Sequence, residues 1–324
     1  MAWAIGVDLG GTHVMAASVD DRGKIRNRFE QDLKSHDFDY VIDRITSAVG
    51  KAAASLKGKK VDGVGIGSPG NIDERTGAVR WSPNFHWKNV PLGATLKRKL
   101  GMRVHVLNDA RLATLGEYLH GCGKGTQDFA LITLGTGIGG GIVASGRLVL
   151  GHGLGAGEVG HHQIKPLTGF ICACGKVGCF EAQASGTGLL RHALAVAPSF
   201  PRSALLLQRR PADWGSKMIV KAAAAGDPHA RAAWERFLGD LAIGVANIVA
   251  FTNPQMIALG GGVGQTDKSL LSIPLKKRVD DLTTMAPKDT KIVSATLGND
   301  AGAVGASALA FVGGIKGLRA ARYS

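Results

Sequence analysis

Ala4-Ile5-Gly6-Val7-Asp8-Leu9-Gly10-Gly11-Thr12-His13-Val14-Met15-Ala16-Ala17-Ser18-Val19 opens the chain. Two apolar runs flank Gly10-Gly11-Thr12, and that arrangement predicts two antiparallel strands joined by a tight turn. Paired glycines let backbone N–H groups come close to an anion, and Asp8 at a strand end can hold a divalent cation directly or through water. Alone, the stretch is an ordinary hairpin. No helix follows the glycines, so it is neither a Walker loop nor the G-x-G-x-x-G dinucleotide turn. The device returns twice. Leu134-Gly135-Thr136-Gly137-Ile138-Gly139-Gly140-Gly141 lies between apolar strands, and Leu259-Gly260-Gly261-Gly262-Val263 follows another apolar run. Three such turns among alternating strands and helices predict a nucleotide held between two related α/β lobes with a cleft between them.

The composition agrees. A length of 324 residues suits about two domains, and 45% hydrophobic with 20% charged residues supports a packed core rather than disorder. Glycine, 47 residues, clusters in the turns instead of in low-complexity tracts. No apolar run is long enough to span a bilayer, and the N-terminal residues lack the basic start and cleavage site of a secretory leader. A membrane protein, a secreted disulfide scaffold and a fibrous protein are poor readings, and a cytoplasmic location is expected. The net charge of +14 favours anionic partners. The basic residues are scattered, with no RGG tract or basic helix, so no nucleic-acid partner is expected.

Outward from the first hairpin, apolar spacing predicts a helix over 38–56 and a strand over 61–67. A short helix follows at 92–100, a strand at 103–107 and a helix at 110–120. The second half reads as strands 129–134 and 139–144, a Gly-, His- and Cys-rich stretch with little periodicity over 151–187, and a long helix over 230–251. A strand at 256–259 and a helix at 298–312 complete it. Pro198–Pro211 reads as a surface loop carrying the apolar patch 205–207, and 313–324 as a frayed tail.

Two constellations carry chemistry. Asn108-Asp109 stands at a strand-to-helix junction; Asp109 is either a helix N-cap or a carboxylate base at a cleft, with Asn108 bonding the same substrate. Further on, Glu158-Val159-Gly160-His161 is followed by Cys172-Ala173-Cys174-Gly175-Lys176-Val177-Gly178-Cys179-Phe180-Glu181. His161, Cys172, Cys174 and Cys179 make a tetrahedral Cys3His zinc set, although the C-x-C-x4-C spacing is not that of the common finger. Three cysteines within eight residues, in a chain without a secretory leader, read as a metal site rather than a disulfide frame.

With these residues in view, the sequence resembles the ROK family of sugar kinases and repressors, within the actin-like ATPase superfamily. The resemblance runs from about Ile5 to Ala310 and is most specific at Glu158-x-x-His161 and Cys172-x-Cys174-Gly175-x-x-Gly178-Cys179-x-Glu181. It implies a two-lobed, ribonuclease H-like α/β fold: an N-terminal lobe over 1–110 completed by 298–324, and a C-terminal lobe over 111–297. It implies ATP, Mg2+ and structural Zn2+, with phosphoryl transfer to a hexose, D-glucose ranked first. Asp109 is then the general base. Asn84, Asn108, Asp109, Glu158, His161 and Glu181 bind sugar hydroxyls, and Asp8, Gly10, Gly11, Thr12, Gly135, Thr136, Gly137, Gly261 and Gly262 line the nucleotide. Ser82-Pro83-Asn84 and Trp87 to Leu92 resemble the glucokinase-type sugar stretch. A homodimer or homotetramer is expected.

Three positions depart from the family pattern. His13 stands where many members carry Lys, Arg111 where many carry Asn, and His162 directly follows His161, so the metal ligand could shift by one. The alternatives are a kinase for mannose, fructose or an N-acetylhexosamine, a polyphosphate-using glucokinase, and a sugar-responsive repressor. Repressors of the family carry a DNA-binding domain ahead of the segment that Asp8 to Thr12 resembles, so the repressor is the least expected of these.

Overall fold

Trp3–Leu9 (β1) and His13–Asp20 (β2) pair antiparallel in unbroken register, from Trp3 opposite Asp20 to Leu9 opposite Val14. They belong to a computed structural model in which residues 1–73, 75–205, 213–285 and 288–322 are described. The chain divides into two compact units, one of residues 1–129, 141–157 and 296–324, the other of 130–140 and 158–295.

In the first unit, Ile25–Asp32 (β3), Val61–Ser68 (β4) and Val104–Asn108 (β8) join β1 and β2 in a sheet of order β3-β2-β1-β4-β8. β1, β4 and β8 run parallel. Alternation along the strands sorts the two faces. Ile5, Val7, Leu9, Val64 and Ile66 bury against Val41, Ile42 and Ile45 of the helix Phe38–Ala54 (α1) and Leu92 and Leu96 of Leu92–Leu100 (α2). The opposite face carries Gly6 and Gly65, where a Cβ would lie 1.8 and 1.7 Å from the carbonyls of Ala303 and Ala306. Those carbonyls belong to the Ala/Gly-rich helix Ala301–Phe311 (α10), which therefore rests backbone to backbone on the sheet. Asp109–His120 (α3) crosses the same helix with equal intimacy, since a Cβ on Gly305 would meet the Leu112 carbonyl at 1.7 Å. Much of the glycine content is thus a close-packing device. A small antiparallel sheet, Asn71–Ile72 (β5), Val79–Ser82 (β6) and Trp87–Val90 (β7), presents its β6–β7 turn at residues 83–86.

The second five-stranded sheet has the order β11-β10-β9-β12-β13, with β9 Phe129–Leu134, β10 Ile138–Ala144, β11 Arg147–Leu148, β12 Met256–Gly260 and β13 Lys291–Ser294. The core of the second unit packs Ile132, Leu134, Ile257 and Leu259 against helices Phe180–Ala184 (α4), Gly186–Val196 (α5), Ser216–Ala224 (α6), Pro228–Thr252 (α7) and Ser272–Leu282 (α9). The 25-residue α7 starts with an Asp227 cap and Pro228 in its first turn, and stops where Asn253 turns left-handed.

Three sequence expectations change. Gly261 to Gly264 is a short helix (α8) rather than a turn alone. The expected frayed tail forms a helix, Ile315–Ala320 (α11), because Ile315 and Leu318 find buried positions. Leu205 of the surface-loop patch is buried, while residues 206–211 of that loop lie outside the described ones. Among the described residues, no helix is long and apolar enough to cross a membrane.

Candidate active site

In the first unit the parallel strands deliver two carboxylates to one edge. Asp8, near the end of β1, lies opposite Gly67 of β4, and Ser68 lies opposite Asn108, the last residue of β8. Ligands of open α/β sheets gather at this carboxyl-terminal edge. Asn108 is the N-cap of α3: its Oδ1 accepts from Arg111 N at 3.2 Å, and its Nδ2 donates to the Gly70 carbonyl at 3.3 Å. Asp109 is therefore the first helical residue and not the cap. Its Oδ1 accepts from Ala110 N, and Gly67 lies flush against its backbone, with room of only 3.2 Å to Asp109 Cα for a Cβ.

The Asp8 carboxyl rests on Gly302 of α10, where a Cβ would come within 2.7 Å of it. Burial, and then the negative charge of Asp109, push Asp8 up to about 7. Two acids held this way form a site that a divalent cation would relieve, and the oxygen-only donor set suits Mg2+. The Gly10–Thr12 turn beside them is closed by Gly10 N donating to His13 O, and Thr12 O accepts from Leu33 N. His13 is exposed, its Nδ1 3.2 Å from Thr12 Oγ1. Asn84 is exposed on the β6–β7 turn.

Arg111 is 1% exposed, and its Nε donates to the Ala156 carbonyl at 2.6 Å, tying α3 to the glycine-rich 151–157 loop. Glu117, with no exposed surface, accepts from Cys122 N, Thr296 N and Oγ1, and Leu297 N at 2.6–3.2 Å, and from the Cys122 thiol. A buried carboxylate needs such a set. It pins α3 to the segment that leads into α10. Burial, with the Glu117 charge second, pushes the Cys122 thiol up to about 12. No motif announces Glu117, which reads in sequence as one more helix-surface acid.

In the second unit, Gly135–Gly137 is braced from the α4–α5 segment. Gly186 N donates to Gly135 O and Thr187 Oγ1 to Thr136 O, both at 2.8 Å, and Glu181 Oε2 accepts from Ile138 N at 2.9 Å. Gly261 has φ 76°, and a Cβ there would lie 2.6 Å from the Leu134 carbonyl, so glycine alone lets α8 start beside this turn. A Cβ on Gly262 would stand 3.9 Å from Lys217 Cε, and one on Gly186 3.2 Å from Ser216 Oγ. Ser216 and Lys217, at the start of α6, thus join the glycine turns, though nothing in the sequence marks them.

The four residues expected to bind zinc come together in space. Ligand atoms of His161, Cys172, Cys174 and Cys179 lie within 4.8 Å of one another. Cys174 Sγ is 3.6 Å from Cys179 Sγ, and Cys172 Sγ 3.8 Å from His161 Nδ1. Tetrahedral ligands about 2.0–2.3 Å from zinc stand roughly 3.5–3.8 Å apart, so the cage fits that ion. His162 turns the other way: its Nδ1 donates to Val159 O at 2.6 Å and its ring packs on Phe180. The loop has a second anchor, the Lys165–Asp240 ion pair, with His192 also on Asp240. Glu181 joins the two features, one oxygen on Ile138 N and the other 3.7 Å from Cys172 Sγ. Glu158 stands at the residue before the 159–161 turn, makes no side-chain capping bond to it, and is exposed.

An α/β chain in two units, with glycine turns at the strand ends and paired acids on one sheet edge, has the fold of the two-lobed actin-like ATPases. The ROK family model matches residues 4–312, and the chain belongs to the ROK family. It is 37% identical over 310 residues to a glucokinase of Thermotoga maritima, covering 94% of this chain and 96% of that one. It is 36% identical over 308 residues to a glucokinase of Halalkalibacterium halodurans, covering 94% and 93%. A ROK family glucokinase of Streptomyces griseus, solved with glucose and AMPPNP, superposes with a TM-score of 0.83 at 34% identity over 95% of this chain and 99% of that one.

Proposed function

We propose that the protein is an ATP-dependent glucokinase that moves the γ-phosphoryl of ATP to the 6-hydroxyl of D-glucose, with Asp109 as general base. The observation that carries this reading is the pair Asp8 and Asp109 on one edge of the first sheet, in a chain with glucokinase relatives along nearly its whole length. Asp109 takes the hydroxyl proton as the sugar oxygen bonds to the γ-phosphorus and the bond to the departing ADP breaks. Mg2+ supplies positive charge to the phosphates when bound, and Asp8 is the side chain that would hold it. Gly10–Thr12, Gly135–Gly137, Gly261 and Gly262 offer backbone N–H groups to phosphate and nucleotide.

Asn84, Asn108, Glu158, His161 and Glu181 pair sugar hydroxyls. His161 turns Nδ1 toward the cysteines and keeps Nε2 for the sugar; Asn108 keeps one amide hydrogen beyond its bond to Gly70 O. His161, Cys172, Cys174 and Cys179 would hold Zn2+ as a structural ion with four protein ligands. The enzyme works in the cytoplasm, where ATP is made, as a homodimer or homotetramer that covers the exposed Leu167 and Ile171.

The test is coupled ADP release with glucose, mannose, fructose and the N-acetylated hexosamines. Glucose is expected first and mannose second, since a site that pairs hydroxyls rejects a missing one more strongly than an inverted one. Asp109→Asn should lower kcat by about 100-fold or more with sugar binding retained. An N-acetylated sugar or fructose ahead of glucose by about tenfold, or about 1.4 kcal/mol, overturns the glucose assignment. Turnover with polyphosphate alone overturns the ATP assignment, and near wild-type kcat in Asp109→Asn overturns the base.

A further inference from the structure

His36 has no part in the roles assigned so far. It sits in the 33–37 connection between β3 and α1, which runs beside the first glycine turn through the Leu33 N to Thr12 O bond. Its Nε2 lies 2.6 Å from the carbonyl oxygen of Gly11. A carbonyl can only accept, so Nε2 carries the hydrogen. The opposite side of this histidine belongs to the small sheet. The imidazole packs on Phe85 with ring centroids 4.5 Å apart, and Trp87 Nε1 donates to the His36 carbonyl at 2.8 Å. Phe85 and Trp87 are buried and pack on each other at 4.6 Å, while Phe38 closes the edge of Trp87 at 5.5 Å. Phe85 directly follows Asn84.

We propose that His36 is a positioning residue that couples the sugar-side hairpin 82–87 to the phosphate-binding turn 10–12. This rests on the kinase reading above. The Gly11–Thr12 peptide is planar, so holding the Gly11 oxygen aims the Thr12 N–H in the opposite direction. That N–H is a donor which a nucleotide phosphate can use. Gly11 itself is not packed in place, since a Cβ there would meet nothing within 4 Å. The aim of the turn therefore depends on its hydrogen bonds, and the His36 bond runs to a ring seated on Phe85. A hexose that engages Asn84 and draws the 83–86 turn toward it moves Phe85, hence the His36 ring, hence the Gly11 peptide. Sugar and nucleotide then raise each other's affinity by the same factor, as linkage requires.

The experiment is calorimetric titration of AMPPNP with Mg2+ into the full chain, with and without saturating D-glucose, in wild type, His36→Ala, His36→Gln and Phe85→Leu. Glucose should tighten AMPPNP by about fivefold or more in wild type, the lower end of ordinary coupling. His36→Ala should weaken AMPPNP and bring the glucose effect to within about twofold of none. His36→Gln keeps a donor for the Gly11 carbonyl without the ring, so its AMPPNP affinity should stay near wild type while the glucose effect is lost. Phe85→Leu should behave like His36→Gln. A merely structural role would not separate affinity from coupling in this way. A wild-type glucose effect of one, or the full effect surviving in His36→Ala, overturns the proposal. Both outcomes leave the kinase reading standing, because that reading fails instead on absent ADP release.

Discussion

Gly10–Thr12 and Gly135–Gly137 are near copies as sequence, each a glycine turn between apolar strands, yet they are held in opposite ways. The first is open. A methyl group on Gly11 would touch nothing within 4 Å, and the turn is steadied by hydrogen bonds from Leu33 and His36. The second is clamped. A methyl group on Gly137 would strike Glu181 Oε2 at 2.3 Å, and Glu181, Gly186 and Thr187 all hold its backbone. The clamp is continuous with the Cys3His cluster, because Glu181 follows Cys179 by two residues and lies 3.7 Å from Cys172 Sγ. One turn has room around it, while the other is fixed by its packing.

The largest test of this contrast is to remove the metal. Purified protein should contain about one zinc per chain. Chelation, or Cys174→Ser, should lower Tm by at least about 3 °C, the equivalent of about 2 kcal/mol in a chain of this size. It should also weaken AMPPNP through the second turn, which a zinc loop unrelated to the turn would not do. Elemental analysis, calorimetry and titration read the three effects. Full Tm and unchanged nucleotide affinity in metal-free protein would break the link.

A smaller and sharper test swaps the two glycines. Gly137→Ala overpacks Glu181 and should cost about 1–3 kcal/mol of stability. Gly11→Ala should stay within about 0.5 kcal/mol, since it meets open space in the free protein. Urea unfolding of the two variants compares them directly, and equal costs would show that the turns are held alike.

A pH series tests the acid beside the open turn. Folded Asp8 titrates at about 7 against an ordinary value of 3.8. Between those values the folded chain keeps a proton that the unfolded chain releases, so stability falls as pH rises from about 4 through 7. Asp8→Asn should remove that slope, raising Tm at pH 8 in the absence of Mg2+ and leaving it near the wild-type value at pH 4. A Tm series over that range, with and without Mg2+, checks it. An Asp8→Asn chain with the wild-type slope would place the titrating group elsewhere.

Periodicity and turn chemistry made much of the fold legible in advance. β1, β2, α1, α3 and α7 fall close to where their apolar spacing places them. β3 was not legible, because its inward positions are Ile25, Asn27, Phe29 and Gln31, and half of them are polar. α4 and α5 were hidden in a stretch whose Gly, His and Cys content masks any helical period. The Cys3His set could be read because metal ligands must be particular residues at short spacings, and Asn108-Asp109 because a strand-to-helix junction restricts its residue types.

What the sequence by itself determined is the set of local pieces: which stretches are strands, where the glycine turns stand, and which residues can bind a metal or accept a proton. Only the tertiary structure decided which residue plays which part. It made Asn108 the cap and Asp109 the first helical residue, turned His161 rather than His162 to the cysteines, and buried Glu117 on the Thr296–Leu297 backbone. It also set His36 on a glycine carbonyl and Glu181 between two loops. The reason is physical. Propensity and spacing act within a few residues, whereas the partner of a buried carboxylate or imidazole lies up to 180 positions away, as Glu117 and Leu297 do, and is chosen when the elements pack.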